Sequence, residues 1–201
     1  MAIAFDTASR STSASFSATA PSGANTALVA IVSTAGSAAS LTATYNGVST
    51  TGNVPVDVPV AGDGHIIFTL LNPTSGSNTF AITGATSPDT TIIFYTGVGA
   101  ISGANSTTGT APTSINMTVG VANSWVVTAS RRRPGPVAST PSTGVTNDRT
   151  TLNVAVGVGD SGPEAVGTVN HAWSGGSSDM SISGVVLEPA ADTFIQKVVI
   201  F

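Results

Sequence analysis

The sequence predicts an all-β protein: an antiparallel two-sheet β-sandwich of jelly-roll type with little or no helix. Three observations carry that prediction. Short apolar runs recur at intervals of about 8 to 15 residues, separated by clusters of Gly, Pro, Ser, Thr and Asn, which is the rhythm of strands joined by turns. No window of about 12 residues keeps a 3.6-residue apolar period without a Gly or Pro break. With no helices to cover a sheet, sheets must cover each other.

Each element follows from its own residues. The runs Ile3–Asp6 and Ala14–Ala18 are short strands in Ser/Thr-rich surroundings. "ALVAIVS" at Ala27–Ser33 and "TIIFYT" at Thr91–Thr96 are apolar almost throughout, so they read as central strands covered on both faces or lying close to a subunit contact. "LTATY" at Leu41–Tyr45 alternates, placing Leu41, Ala43 and Tyr45 on one face. Asn46-Gly47 follows it, the strongest short hairpin signal because both central residues of a type I′ turn need positive φ.

"VPVDVPV" at Val54–Val60 carries Pro55 and Pro59, which donate nothing to a ladder, so it is an edge strand or an extended connection. His65–Leu71 and Thr79–Thr83 are joined by the turn-rich "NPTSGSN". In Ile115–Val121, Ile115, Met117 and Val119 share a face, and Trp125–Ser130 follows. Thr151–Val158 sends Leu152, Val154, Val156 and Val158 to one side, leaving one wet face. Thr168–Trp173, Met180–Leu187 and Phe194–Phe201 complete the set. The stretch "RRRPGPVASTPSTG" at 131–144 has no strand pattern and reads as a surface loop, with the strand pattern resuming unchanged behind it. Residues 1–190 are therefore expected to form one sandwich domain and 191–201 a C-terminal extension strand.

Composition narrows the function. Charged residues are 8% of the chain, against about a quarter in an average globular protein, while Ser and Thr supply 56 of the 201 residues. The polar surface is hydroxyl rather than ionic. Hydrophobic content of 41% is ample for a core and argues against disorder. The net charge of −4 and the lack of a basic face with stacking aromatics argue against a nucleic-acid partner. Cysteine is absent, which removes disulfides, thiolate metal sites and thiol nucleophiles. "MAIAFDTASR" has no basic, apolar leader, and no run approaches the ~18 apolar residues of a membrane span. Folding in a cytosol, with no membrane partner, is the expectation.

Chemistry is scarce. There is no G-x-S-x-G elbow, no H-E-x-x-H, no EF-hand loop and no phosphate-binding glycine loop. Only His65 and His171 could act as a base, and neither sits in a recognisable setting. Asp63 and Asp160 lie in Gly-containing stretches, where aspartate habitually satisfies turn N–H groups. Two glutamates in the whole chain make a poor supply for a glycosidase pair. No catalytic residue, metal or cofactor is expected. His171 and Trp173 share one strand face in "NHAWSGG" and could stack on a sugar, against the plainer reading of Trp173 as a core or rim aromatic whose indole finds an acceptor. Arg131, Arg132 and Arg133 are a solvated loop or an intersubunit clamp on carboxylates.

Several segments taken in order, "IAFDTAS", "ALVAIVS", "TATYNGV", "FTLLNPTSGSNTFAIT", "IIFYTGV" and "SISGVVLEPA", resemble a jelly-roll-like β-sandwich module of tailed-bacteriophage virion proteins, decoration and tail-associated, and of bacterial surface proteins. The likeness spans roughly residues 2–190. It implies a structural or adhesive role rather than an enzyme. The chain departs from the module in continuing past Pro189 into "TFIQKVVIF". As a strand this segment puts Phe194, Gln196, Val198 and Ile200 on one face and Ile195, Lys197, Val199 and Phe201 on the other. Left wet, such an edge is an aggregation hazard. Either it closes its own sandwich, or it docks on another polypeptide.

The expectation is a virion structural protein, a capsid decoration or cement protein assembled in the host cytoplasm. It would bind itself as a homo-oligomer, such as a trimer, and bind the major capsid protein or another virion protein. Phe194, Ile195, Val198, Ile200 and Phe201 would carry the contacts, with Arg131, Arg132 and Arg133 as polar support. The alternative is a tail-associated or cell-surface module binding a glycan or receptor through His171 and Trp173.

Overall fold

In the computed structural model the described residues are 1–58, 62–110, 113–133, 140–149, 156–174 and 179–191. Among them there are strands and turns but no helix. The first half of the chain forms β1 (Ala4–Ser11), β2 (Ser15–Ala20), β3 (Thr26–Ala35), β4 (Thr42–Tyr45), β5 (Val48–Ser49), β6 (Thr51–Asp57), β7 (Asp63–Leu71), β8 (Gly76–Thr83) and β9 (Asp89–Thr96). The second half forms β10 (Val98–Thr110), β11 (Thr113–Val119), β12 (Ser124–Arg133), β13 (Thr140–Pro141), β14 (Asn147–Asp148), β15 (Val156–Glu164), β16 (Gly167–Ser174) and β17 (Asp179–Pro189).

The all-β, antiparallel sandwich holds, and its layering is deeper than two sheets. Four sheets have the orders β2-β8-β4-β5, β1-β9-β3-β7-β6, β10-β17-β12-β15-β14 and β11-β16-β13, and every ladder between named strands is antiparallel. Three apolar clusters bind them into a stack. Leu28, Ala30, Val32, Ile92 and Phe94 pack with Ala43, Tyr45 and Phe80. The opposite faces of the same strands, Ala27, Val29, Ile31, Ile93 and Tyr95, pack on Val127, Ala129, Val158 and Val185. Beyond these, Val126, Ile182 and Val186 pack on Ile115, Met117 and Trp173. The two five-stranded sheets are therefore inner layers whose central strands, such as β3, β9 and β17, are buried on both faces, while edge strands β1 and β10 stay partly exposed.

That burial explains the apolar runs. β3 is buried along all but its last residue and β9 along all but its ends, as their sequences predict. The outer strands alternate instead: β11 reads buried, exposed, buried to its end.

The two halves are wired alike. With the two-residue β5 left without a counterpart, β10-β17-β12-β15-β14 repeats the order β1-β9-β3-β7-β6, and β11-β16-β13 repeats the start of β2-β8-β4-β5. Equivalent turns open equivalent strands. "NTALVAIVS" at 25–33 and "NSWVVTAS" at 123–130 each begin on an asparagine in the left-handed region, Asn25 at φ 61 and Asn123 at φ 64. One residue, Gly97, separates β9 from β10.

Several expectations are corrected. Arg131, Arg132 and Arg133 do not open a surface loop; they end β12, paired through Arg131–Ser181, Arg132–Met180 and Arg133–Asp179. Residues 134–139 of that supposed loop lie outside the described residues. Val156 and Val158 belong to a strand with no wet face, because Gly157 and Gly159 behind them are also buried. At Gly159 a Cβ would collide with Val145. Of "VPVDVPV", Val54–Asp57 closes β6, an edge strand as Pro55 requires: among the described residues β6 pairs only with β7, with a bulge between Asn53 and Val56, while Pro59 and Val60 lie outside the described residues.

Candidate functional site

The chemistry-bearing side chains gather in the seam between the two inner sheets. At one side Arg131 of β12 donates from Nη2 to Asp63 Oδ2 on β7 at 2.8 Å and from Nη1 to the Ser33 hydroxyl on β3. Asp63 is 1% exposed, so this is an ion pair removed from water, where a lost partner matters most. Gly64, next to it, has no room for a Cβ, which would collide with the Asp57 carboxylate. Asp57 in turn accepts from the Ser37 hydroxyl at 2.7 Å and the Ala38 amide at 2.9 Å.

His65, two residues along from Asp63, crosses the same seam. Its Nε2 lies 2.7 Å from Ser183 Oγ and its Nδ1 3.3 Å from Ser181 Oγ, both on β17. Burial, reinforced by the nearby Arg131 charge, pushes the imidazole down to about 3, so it is neutral at physiological pH. The His65–Ser183 spacing is that of a base and a nucleophile. The third member is wrong: the other ring nitrogen meets a hydroxyl, not an orienting carboxylate. His65 and Ser183 are fully buried, which denies a substrate access.

A second cluster crosses the seam between β9 and β15. Asp160 is fully buried and accepts from Tyr95 Oη at 3.1 Å, Arg149 Nε at 2.7 Å and Asn147 Nδ2 at 2.6 Å. The Arg149 guanidinium also lies 3.9 Å above the ring centre of Phe5 on β1, a cation–π contact between the halves. Desolvation, with Asp160 beside it, raises the Tyr95 phenol well above its usual value. Asp63 and Asp160 are thus not turn caps but anchors of ionic cross-links. The sequence marks Asp160 only as a turn residue, and gives Tyr95 and Arg149 no role at all. In so uncharged a chain, each isolated arginine near an aspartate was the available signal.

The strands that face each other across the seam run in opposite orders. Tyr95–Asp160 joins β9 to β15, Ser33–Arg131 joins β3 to β12 and His65–Ser183 joins β7 to β17, while β6 packs on β10 and β17. Equivalent strands β3 and β12 meet at the centre, with each inner sheet reading outward in reverse against the other. This is the arrangement of a two-fold-related dimer, here within one chain.

The expected glycan platform is corrected. His171 and Trp173 do share a face, but both are fully buried. The Trp173 indole donates to Thr128 Oγ1 at 3.1 Å, and that hydroxyl lies 3.4 Å from His171 Nδ1. Desolvation pushes the His171 imidazole down to about 4. A sugar cannot reach either ring. Arg132 is also buried, at 2% exposure, and Arg131 binds a carboxylate of its own chain rather than one of a neighbour. The side chain of Arg133 and all of Phe194, Ile195, Val198, Ile200 and Phe201 lie outside the described residues.

Outside the seam, two clefts open on the described surface, one lined by Thr51, Asn53, Thr69, Leu70, Leu71 and Ile101. The other, of about 470 Å3, lies between Met1, Ile3, Asn123, Trp125, Pro163 and Pro189. Among the described residues no group of three or more His, Asp or Glu could hold a metal ion. No family model, no curated protein and no solved structure matches this chain.

Proposed function

We propose that this chain is a structural protein of a bacteriophage virion, a decoration or cement protein on the capsid exterior. It works mechanically, not catalytically. The observation that carries the reading is where the reactive side chains go: both histidines, Asp63, Asp160, Tyr95 and Arg131 lie in the interior, where they hold sheets together. The outermost sheets turn Ser, Thr and Asn outward, as at Ser17, Thr79, Asn116 and Asn170. Such a body is a hydroxyl-surfaced block with few charges, 8% of its residues, suited to bridging. The strand orders β1-β9-β3-β7 and β2-β8-β4-β5 support the jelly-roll reading of each half.

The partners are further copies of the chain, engaged through residues 192–201, and a major capsid or other virion protein. The glycan-binding alternative has lost the residues assigned to it, because His171 and Trp173 are enclosed. The test compares the full chain with one truncated after Ala191, mixed with capsids of a phage whose genome encodes it. The full chain should cosediment with the capsids and the truncated chain should not, with β-rich circular dichroism equal in both. Cosedimentation of neither form, or of both equally, contradicts the proposal.

A further inference from the structure

We infer, resting on the assembly reading above, that the cleft beside Trp125 receives the apolar segment Thr193–Phe201 of a second copy. Its lining is suited to apolar side chains: two prolines, Met1, Ile3 and the Trp125 indole, with Asn123 as a polar edge. Trp125 is half-buried; its ring meets Tyr95 edge-on at 5.9 Å while lining the cleft. Among the described residues the exposed large apolar side chains are Met1, Val48, Leu71, Val121 and Val166. Met1 lines the cleft, Val121 lies two residues from Asn123, and Val166 lies three from Pro163. Of these, Met1 contributes its exposed side chain to the cleft itself.

The segment starts from the same place. The Met1 amino group donates to the Ala190 carbonyl at 2.9 Å, and the Ala190 amide donates to the Gly97 carbonyl at 2.8 Å. These bonds pin the chain beside Pro189, in the cleft wall, and Ala191 is exposed. An extended strand advances about 3.3 Å per residue, so one leaving Ala191 carries Phe194 roughly 10 Å on and Phe201 roughly 33 Å on. That reach is enough to span to a neighbour's cleft, and the assembly reading above selects the neighbour's over its own. Both faces of the segment are apolar, which calls for cover from more than one side. Because segment and cleft share one end of the molecule, copies exchanging segments meet at that end, and the association closes on itself.

The chain has no cysteine, so introduced pairs report without background. Ala2 is exposed and lines the cleft; Ala2→Cys marks the receiver, and Thr193→Cys or Gln196→Cys marks the segment at positions outside its apolar set. Mixing single-cysteine variants under mild oxidation should give a two-chain disulfide product. Acrylamide should quench Trp125 more strongly after truncation at Ala191, since Trp173 is fully buried. A single-chain disulfide from the Ala2→Cys/Gln196→Cys double variant overturns the inference, as the cleft is then filled by its own chain. Oligomers without any disulfide, with Trp125 quenching unchanged by truncation, overturn it too but leave assembly standing. Absence of oligomers removes the assembly reading as well.

Discussion

Arg131 reads in the sequence as part of a basic surface tract, yet it reaches through the seam to Asp63 and Ser33. Removing one member of a buried ion pair strands the other, at a cost of about 3–5 kcal/mol, while replacing both with apolar groups costs far less. Arg131→Met should therefore destabilise the fold by that amount in urea unfolding, and Arg131→Met/Asp63→Leu should recover most of it. Single and double variants of equal stability would place the pair outside the seam. His65 gives a pH test. Its folded value is about 3 against an ordinary ~6.5 for the unfolded chain. Between these values the unfolded state binds a proton that the folded state refuses. The stability is fully present above pH ~6.5 and is lost as pH falls towards 3, by up to about 1.4 kcal/mol per unit. His171, at about 4, adds to the same slope down to that value. His65→Gln should flatten the urea midpoint against pH across this window; an unchanged slope contradicts the buried neutral imidazole.

Among the elements, the junction between the halves leaves no room for a side chain. Gly97 has φ 76, and a Cβ there would collide with the Ala2 carbonyl. Its own carbonyl holds the Ala190 amide at 2.8 Å. Gly97→Ala combines left-handed strain, about 1–2 kcal/mol, with that collision. Thermal unfolding should show a loss of at least about 1 kcal/mol, whereas Gly47→Ala, with the same φ of 76 but open space around it, should show the strain alone. Equal losses at both sites would contradict the packed junction. Strands with apolar rhythm, such as β3, β9 and β11, were legible in the sequence. β10 was not: "VGAISGANSTTGT" has too few apolar residues to announce a strand, and its strand state comes from pairing along β17. β15 was half-legible, because "GDSGPE" reads as a turn until Tyr95 and Arg149 supply partners for Asp160.

Taken whole, the molecule is a pair of like-wired sandwiches closed face to face, so its inner surface resembles a dimer interface already satisfied within one chain. Apolar content and punctuation revealed the sandwich class. They could not reveal the doubling, because "NTALVAIVS" and "NSWVVTAS" share a pattern of small, apolar and turn-forming residues more than identities. The seam was hidden for a related reason: Asp63, His65 and Arg131 meet only after two separate sheets form. The glycan reading failed because alternation shows that His171 and Trp173 share a face without saying that the face points inward.

With the internal seam closed, the proposed assembly rests on the cleft beside Trp125 and on the segment after Ala191. Mass photometry of the full chain and of the chain truncated after Ala191 tests this most directly. The account predicts a defined oligomer for the full chain and a monomer for the truncated one; monomers in both, or the same oligomer in both, would contradict it.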